Sequence, residues 1–376
     1  MTEKKTSKKS QSFERLLDSY NYSFPPELIA QSPASPRDSA KLLIYTRAPL
    51  PDQPQITHDT YKNILNYLPK DGVLILNQTK VIPARLIVKK PTGGLARLLY
   101  IETVGQHLKF LSDRKLELNT DLTIETGKET GAVRSNKLSF KVIKKHNQFY
   151  ILKPAFDISN LYTILNKYGQ TPLPPYIKNP KLTGKKLLAE YNTVFAKTLG
   201  SVAAPTASLH FTKTLLAKIK RSGIKIIYIT LHVNLGTFAP LTEEQLQDKK
   251  LHTEFYEISK ASAKALNQAK QSGKQIIAVG TTVVRTLESA CESKSTKKLI
   301  KPAKLTKLTG NTNLFITEKS KLQFVDSVIT NFHVPKSSLL MLVSAFTGRK
   351  KLLDIYKLAI QKKYRLFSFG DGMLIK

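Results

Sequence analysis

The sequence predicts an α/β protein, with mixed α+β character, in which a small β-barrel is inserted into a larger domain. Apolar runs typical of buried strands alternate with helical patterns over most of the chain, as in α/β domains. From about residue 85 to 155 the pattern changes to short β-type runs separated by glycines, which indicates a small barrel or sandwich. We therefore expect a larger domain at residues 20–86 and 156–376 and an inserted barrel at 87–155.

The first part of the larger domain is predicted from residues 42–45 and 73–76, two apolar runs separated by a helical pattern at 60–67. The second run ends at Asn77. In open α/β sheets ligands gather where strands end, so Asn77 is a candidate binding residue. The short β-type runs of the predicted barrel follow at residues 95–101, 107–111, 122–125, 138–143 and 149–152.

A stretch of fifteen residues, 198–212, carries no charge in a chain where lysine and arginine are frequent. It consists mainly of small residues, which bury little apolar surface but let a backbone approach another group closely. Pro205 presets a turn and Thr206 can bond its own backbone. From the stretch alone, a loop around a ligand and a tightly packed connection are equally good interpretations.

Two more strands are predicted at residues 226–233 and 276–279, with a helix at 260–270 between them. The second strand runs through Gly280, Thr281 and Thr282 into a helix. Free N–H groups and the helix dipole at that point favour a phosphate or carboxylate, and Arg285 in the first turn can assist. Many α/β proteins have this geometry without a ligand.

The composition favours a nucleic-acid partner. With 60 Lys and Arg against 27 Asp and Glu, the formal net charge is +33, although lysine on ordinary solvated faces is an alternative explanation. Clusters such as Lys89-Lys90 and Lys144-Lys145 fall in the predicted barrel. Residues 1–19 are expected to form a disordered basic tail. Cys291, the one cysteine, fits a reducing, cytoplasmic setting, and no apolar run is long enough to span a membrane.

Histidine is the residue type best suited to proton transfer in this chain. His210, His232, His252 and His333 lie in apolar or low-charge segments, whereas the other three have polar surroundings. Each considered singly is more often a structural residue. The chain has no G-x-S-x-G, Walker or G-x-G-x-x-G motif, which disfavours hydrolase-elbow, ATP-dependent phosphoryl-transfer and nicotinamide chemistry.

Eight motifs, taken in order, resemble the S-adenosylmethionine:tRNA ribosyltransferase-isomerase family of queuosine biosynthesis. They are PELIAQ (26–31), LNQTKVIPARL (76–86), PLPPYI (172–177), VAAPTASLHF (202–211), TLHV (230–233), AVGTT with the following arginine (278–282 and 285), TNFH (330–333) and SFGD (368–371). Each motif is modest alone, but their order and spacing are specific, and the match runs from about residue 20 to the end.

The resemblance implies an enzyme that transfers and isomerises the ribosyl part of S-adenosylmethionine onto 7-aminomethyl-7-deazaguanine at the tRNA wobble position. The products are epoxyqueuosine in the tRNA, adenine and methionine. S-adenosylmethionine is the cosubstrate, and neither a prosthetic group nor a metal is expected. We expect a monomer that binds tRNA through the anticodon loop and does not bind a membrane. The alternative is a noncatalytic basic tRNA- or RNA-binding relative of the same family.

The resemblance also selects the candidate site residues. His210 and His232 are assigned the proton transfers, and Glu254 or Asp371 lies opposite the sulfonium. Thr281, Thr282 and Arg285 are assigned to the methionine carboxylate. The remaining substrate-binding candidates are Arg37, Asn77, Arg85, Pro205, Thr206, Gly280, Asn331 and His333. Ser208 and Asn234 stand where the family pattern usually has glycine, which raises the question of whether those positions need a positive φ.

Overall fold

The computed structural model describes residues 12–48, 55–126, 138–146, 148–234, 240–292, 295–296, 299–300 and 303–376. Its helices are α1 (12–18), α2 (Leu161–Tyr168), α3 (Gly184–Glu190), α4 (Lys213–Arg221), α5 (Glu243–Asp248), α6 (Lys260–Gln271), α7 (Thr281–Ala290), α8 (Ser338–Thr347) and α9 (Arg349–Gln361). Short 3-10 helices occupy Pro26–Leu28, Arg37–Ser39, Tyr61–Tyr67, Ile158–Asn160 and Thr206–His210.

The strands of the larger domain are β1 (Lys41–Tyr45), β2 (Ile56–Thr60), β3 (Val73–Asn77), β4 (Thr79–Val81), β11 (Thr198–Ser201), β12 (Lys225–Leu231), β13 (Lys250–Glu257), β14 (Ile276–Val279), β15 (Cys291–Glu292), β16 (Ser295–Thr296), β17 (Leu299–Ile300), β18 (Lys304–Leu305), β19 (Thr309–Leu314), β20 (Ser327–Asn331) and β21 (Gly372–Ile375). Between β4 and β11 the described residues form six further strands: β5 (Arg85–Lys89), β6 (Leu95–Val104), β7 (His107–Ser112), β8 (Asp121–Ile124), β9 (Ser139–His146) and β10 (Phe149–Pro154).

A nine-stranded mixed sheet forms the centre of the larger domain, in the order β19-β13-β12-β3-β14-β20-β21-β1-β2. The four strands β12, β3, β14 and β20 run parallel to one another. Every residue of β3, β14 and β20 is buried, as expected for parallel strands covered on both faces. The carboxyl ends of these four strands therefore meet at one edge of the sheet.

Strands β5 to β10 close into an antiparallel barrel in the order β10-β7-β6-β5-β8-β9. The barrel has its own apolar core, which includes Phe110, Phe140 and Leu152. Buried and exposed side chains alternate along β8 and the first half of β9, and the buried ones fill the interior. The predicted fold class, a larger α/β domain with an inserted small β-barrel, is confirmed.

The predicted basic tail needs a correction in its second half. Residues 12–18 form α1, and Phe13, Leu16 and Leu17 pack against the core of the larger domain. These three apolar side chains recur at helical spacing, so burying them stabilises the helix against the tail's polar composition. Residues 1–11 lie outside the described part of the chain.

Candidate functional site

A cavity lies at the edge where the parallel strands end, and we call it the inner cavity. It contains about 600 Å³ of empty space, part of which is open to solvent. Three loops form most of its wall: the charge-free stretch after β11, the turn between β14 and α7, and the segment after β20. Its lining residues are Tyr176, Ala204, Pro205, Thr206, Ala207, Val233, Gly280, Thr281, Thr282, Thr330, Asn331, Phe332, His333, Val334, Leu339, Phe367 and Ser368.

The inner cavity contains seven of the predicted binding residues: Pro205, Thr206, Gly280, Thr281, Thr282, Asn331 and His333. None of its lining residues among the described ones carries a formal charge. His333 is neutral because desolvation lowers its pKa to about 3. Lysine is therefore excluded from the site, as the charge-free stretch suggested.

The turn before α7 is shaped by glycine. Gly280 has a φ of +94°, a conformation that L side chains rarely adopt, and its N–H donates to the Ile329 carbonyl at 2.7 Å. The chain can then enter α7 directly, so that Thr281 and Thr282 form the first turn at the cavity wall. Backbone N–H groups in a first helical turn have no intrahelical partner and favour an anion.

Asn331 is held in place from three sides. Thr206 Oγ1 donates to Asn331 Oδ1 at 2.8 Å, while Asn331 Nδ2 donates to the Asp371 carbonyl at 3.4 Å and to His210 Nε2 at 3.5 Å. His210 in turn stacks on Tyr61, with ring centroids 4.2 Å apart. Burial lowers the pKa of His210 to about 3, so its imidazole is neutral. His210 lies behind the cavity wall and positions Asn331.

Glu254 and Arg285 form a buried ion pair with each other. Arg285 also donates to the carbonyls of Leu314 at 3.3 Å and Thr312 at 3.4 Å, and Glu254 Oε1 accepts from Asn234 N at 3.0 Å. Neither side chain lines the inner cavity. The structure thus pairs the two charges that were expected to face the carboxylate and the sulfonium, because a buried charge is stable only with a partner.

Four other candidates have structural contacts. Asp371 accepts from the backbone N–H groups of Lys41 at 3.0 Å and Arg365 at 2.8 Å, which joins the C-terminal segment to β1. Arg37 and Arg85 donate to main-chain carbonyls, at 2.8 Å and 3.1 Å respectively. Asn77 bridges β3 and β12 by exchanging two hydrogen bonds with Leu231, and its amide also reaches Thr282 Oγ1 at 3.4 Å.

A second and larger space, which we call the interdomain cleft, lies between the barrel and the larger domain. It contains about 1880 Å³ of empty space open to solvent. Its lining residues are Tyr100, Ile101, Glu102, Thr103, Lys109, Leu111, Gln148, Phe149, Tyr162, Pro175, Leu199, Gly200, His232, Asn234, Leu251, His252, Thr253, Phe255 and Asn311.

His232 lines the interdomain cleft and the next residue, Val233, lines the inner cavity, so the two spaces flank the same segment of the chain. Its Nδ1 is 2.8 Å from Thr79 Oγ1, and its ring packs on Gly200, where an added Cβ would lie 3.1 Å from the imidazole. Burial lowers the pKa of His232 below its usual value of 6.5. Of the two predicted proton-transfer residues, His232 lines a space that is open to solvent, whereas His210 is buried.

Sequence reasoning missed the aromatic walls of both spaces. Tyr176 and Phe367 line the inner cavity with ring centroids 5.0 Å apart, and Phe255 lines the cleft. Tyr176 belongs to the PLPPYI motif and Phe367 precedes the SFGD motif, so their closeness to family motifs was a signal available in the sequence. Their common location depends on the packing of segments that are distant in the chain.

The backbone at Ser208 accommodates a side chain without strain. Ser208 lies in the 3-10 helix Thr206–His210, where φ is negative, so this position does not need glycine. Its side chain is buried, and Ser208 Oγ has no hydrogen-bond partner among the described residues.

Two structural features bear on partners other than a small molecule. Within the described ranges, no group of three or more His, Cys, Asp or Glu side chains could hold a metal ion. In the same part of the chain, each helix is too short or too polar to cross a bilayer.

Comparison with known proteins identifies the family of this chain. The sequence profile of the family described as queuosine biosynthesis protein matches residues 17–375. The S-adenosylmethionine:tRNA ribosyltransferase-isomerase of Fusobacterium nucleatum is 43% identical over 96% of each chain, and that of Carboxydothermus hydrogenoformans is 41% identical over 96% of this chain and 99% of its own.

A crystal structure of S-adenosylmethionine tRNA ribosyltransferase from Thermotoga maritima is also similar. It covers 95% of this chain and 100% of its own, with 31% sequence identity and a TM-score of 0.50. The resemblance inferred from the eight motifs is confirmed, and this chain belongs to the queuosine biosynthesis protein family.

Proposed function

We propose that this protein is an S-adenosylmethionine:tRNA ribosyltransferase-isomerase that acts on 7-aminomethyl-7-deazaguanine at the tRNA wobble position. Its relatives carry this enzyme name at 38–43% identity over nearly the whole chain. The structural observation that carries the proposal is the position of His232 and Val233. These consecutive residues line two different spaces, so a small cosubstrate and a nucleobase can meet at the boundary between them.

S-adenosylmethionine occupies the inner cavity in this proposal. Its methionine carboxylate lies against the first-turn N–H groups of Thr281 and Thr282, where the helix dipole favours an anion. Its sulfonium lies near the rings of Tyr176 and Phe367, because aromatic faces attract cations without an opposing carboxylate. A cavity without lysine or arginine adds no repulsion to the sulfonium.

His232 is the proton-transfer residue of the proposed reaction. The aminomethyl group of the base is an ammonium at neutral pH and must lose a proton before its nitrogen can bond to the ribosyl carbon. A neutral His232 with Nδ1–H donated to Thr79 keeps the lone pair of Nε2 for that proton. His210 acts as a positioning residue through Asn331.

Adenine release tests this function. Purified protein is mixed with S-adenosylmethionine and tRNA that carries the aminomethyl base, and adenine and methionine are measured by chromatography. Both products are expected, whereas tRNA with guanine at the wobble position gives neither because it lacks the amine. A protein that binds both tRNAs but releases no adenine is instead the noncatalytic relative.

The setting of the protein is part of the proposal. One cysteine in 376 residues and a tRNA substrate support a cytoplasmic protein, and we also propose that it is a monomer. Size-exclusion chromatography with light scattering tests the oligomeric state.

A further inference from the structure

We propose that the interdomain cleft is a stacking site for nucleobases of a single-stranded RNA loop, with Phe255 as its main platform and Tyr162 contributing from the barrel side. The inference rests on the proposed function, because it assigns the RNA substrate of that function to a place and to named side chains. The ribosyl donor takes the inner cavity, and the RNA takes the cleft.

Exposed apolar side chains are concentrated in the cleft. Seven large hydrophobic residues are exposed among the described ones, and three of them, Leu199, Phe255 and Tyr162, line this space. Phe255 is 43% exposed and Tyr162 is 41% exposed. Exposed apolar surface gathered in a concave site marks a place where a partner binds.

Strand β13 fixes the direction of Phe255. Glu254 and Tyr256 on either side are buried, and successive side chains of a strand point to opposite faces, so Phe255 points outward. The Glu254–Arg285 ion pair and the hydrogen bond from Tyr256 to the Lys307 carbonyl at 3.2 Å anchor the strand on both sides of the ring. A rigid, outward aromatic ring is suited to stacking.

The geometry connects Phe255 with the proposed reacting group. The rings of Phe255 and His232 are nearly parallel, 19° apart in orientation, with centroids separated by 6.2 Å. The backbone of His232 also donates to the Phe255 carbonyl at 2.9 Å. A base that stacks on Phe255 therefore lies beside the imidazole, at the boundary with the inner cavity.

Size and charge both favour RNA as the occupant. The cleft has about three times the empty space of the inner cavity, with open solvent included in both volumes. Lys109 lies in the cleft, where its Nζ pairs with Glu102 at 2.8 Å and is 4.8 Å from the centre of the Phe149 ring, and Lys141, Lys144 and Lys145 are exposed on the same barrel. The net charge of +33 complements phosphates, and every base offers a face to an aromatic ring.

Tryptophan fluorescence tests the inference directly, because the chain contains no tryptophan. Phe255→Trp places one fluorophore in the cleft, and titration with an RNA hairpin carrying a tRNA anticodon loop is expected to quench it. Leu118→Trp is the matched control, since Leu118 is exposed on the barrel side and lines neither space. Its emission is expected to stay unchanged, as is that of Phe255→Trp with blunt double-stranded RNA.

Affinity measurements complete the test. Phe255→Ala is expected to weaken binding of the hairpin about tenfold, which corresponds to about 1.4 kcal/mol, whereas Leu118→Ala changes it less than about twofold. Tyr162→Trp supplies a second reporter on the barrel side. If neither cleft tryptophan is quenched while the wild-type protein releases adenine, the stacking site is overturned and the enzyme function stands. If quenching occurs but no adenine is released, the RNA site stands and the function falls.

Discussion

The inner cavity is uncharged among its described residues and held by buried hydrogen bonds, whereas the interdomain cleft is wider, open to solvent and lined by the charged pair Lys109 and Glu102. In the cavity, Thr206, Asn331 and His210 fix each other through side-chain contacts. In the cleft, Phe255 and Tyr162 expose apolar rings to solvent. The difference suits two ligands: a small cation that must be oriented, and a flexible polyanion that must be captured and released.

Salt concentration should produce the largest difference between the two sites in ligand affinity. If the tRNA is held by six or more phosphate contacts, its affinity falls about 10³-fold or more between about 50 and 200 mM salt, while S-adenosylmethionine affinity changes less than about twofold. Filter binding for the tRNA and calorimetry for S-adenosylmethionine measure both. A flat salt response of tRNA binding contradicts the electrostatic part of the comparison.

Removing the side chain of His232 should have the second largest effect. His232→Ala is expected to slow adenine release in single turnover about 10³-fold while S-adenosylmethionine still binds, because the proton-transfer group is lost. His146→Ala is the control, since His146 is exposed on β9 and lines neither space. Unchanged turnover in His232→Ala would remove this residue from the catalytic role.

The buried ion pair tests whether Arg285 supports the fold or holds the ligand. Arg285→Met removes the opposite charge beside the buried Glu254 and is expected to lower the free energy of unfolding by about 3 kcal/mol or more. Replacing both residues, as Glu254→Gln with Arg285→Met, should restore part of that loss. A single variant that unfolds like the wild type in denaturant but no longer binds S-adenosylmethionine supports the carboxylate role instead.

Acid should destabilise the wall of the inner cavity. The folded-state pKa values of His210 and His333 are lowered to about 3, and unfolded histidine titrates near 6.5, so the unfolded chain binds more protons between these values. The contribution of each histidine to the free energy of unfolding is fully present above pH 6.5. It falls as the pH is lowered, by about 2 kcal/mol per histidine at pH 5. Denaturant midpoints at pH 7 and 5 measure this, and His333→Gln should reduce the difference.

The smallest effect concerns Ser208. Its buried hydroxyl has no partner in the described chain, so Ser208→Ala is expected to leave stability unchanged or to raise it by about 1 kcal/mol. The melting temperature checks this, with Ser201→Ala as the contrasting variant because Ser201 Oγ donates to the Ala203 carbonyl at 2.7 Å and accepts from Val233 N at 2.9 Å. A loss of stability in Ser208→Ala would indicate a hydrogen bond that the hydroxyl makes in solution.

The fold class, the family and seven of the residues that line the inner cavity could be predicted from the sequence. Strand periodicity and glycine spacing depend on local physics, so the barrel and the parallel strands were readable, and ligands gather where such strands end. The charge-free stretch left a ligand loop and a tightly packed connection as equal alternatives, and four of its residues, 204–207, line the inner cavity in the structure.

The contacts that polar residues make with each other depend on packing between distant segments and could not be predicted from the sequence. Glu254 and Arg285 are 31 positions apart and His210 and Tyr61 are farther, and no local pattern shows that the first two pair or that the latter two stack. The cleft depends on the barrel lying against β13, which brings Tyr162 and Phe255 to one space. Such contacts are set by packing between distant segments, which the order of residues along one segment does not specify.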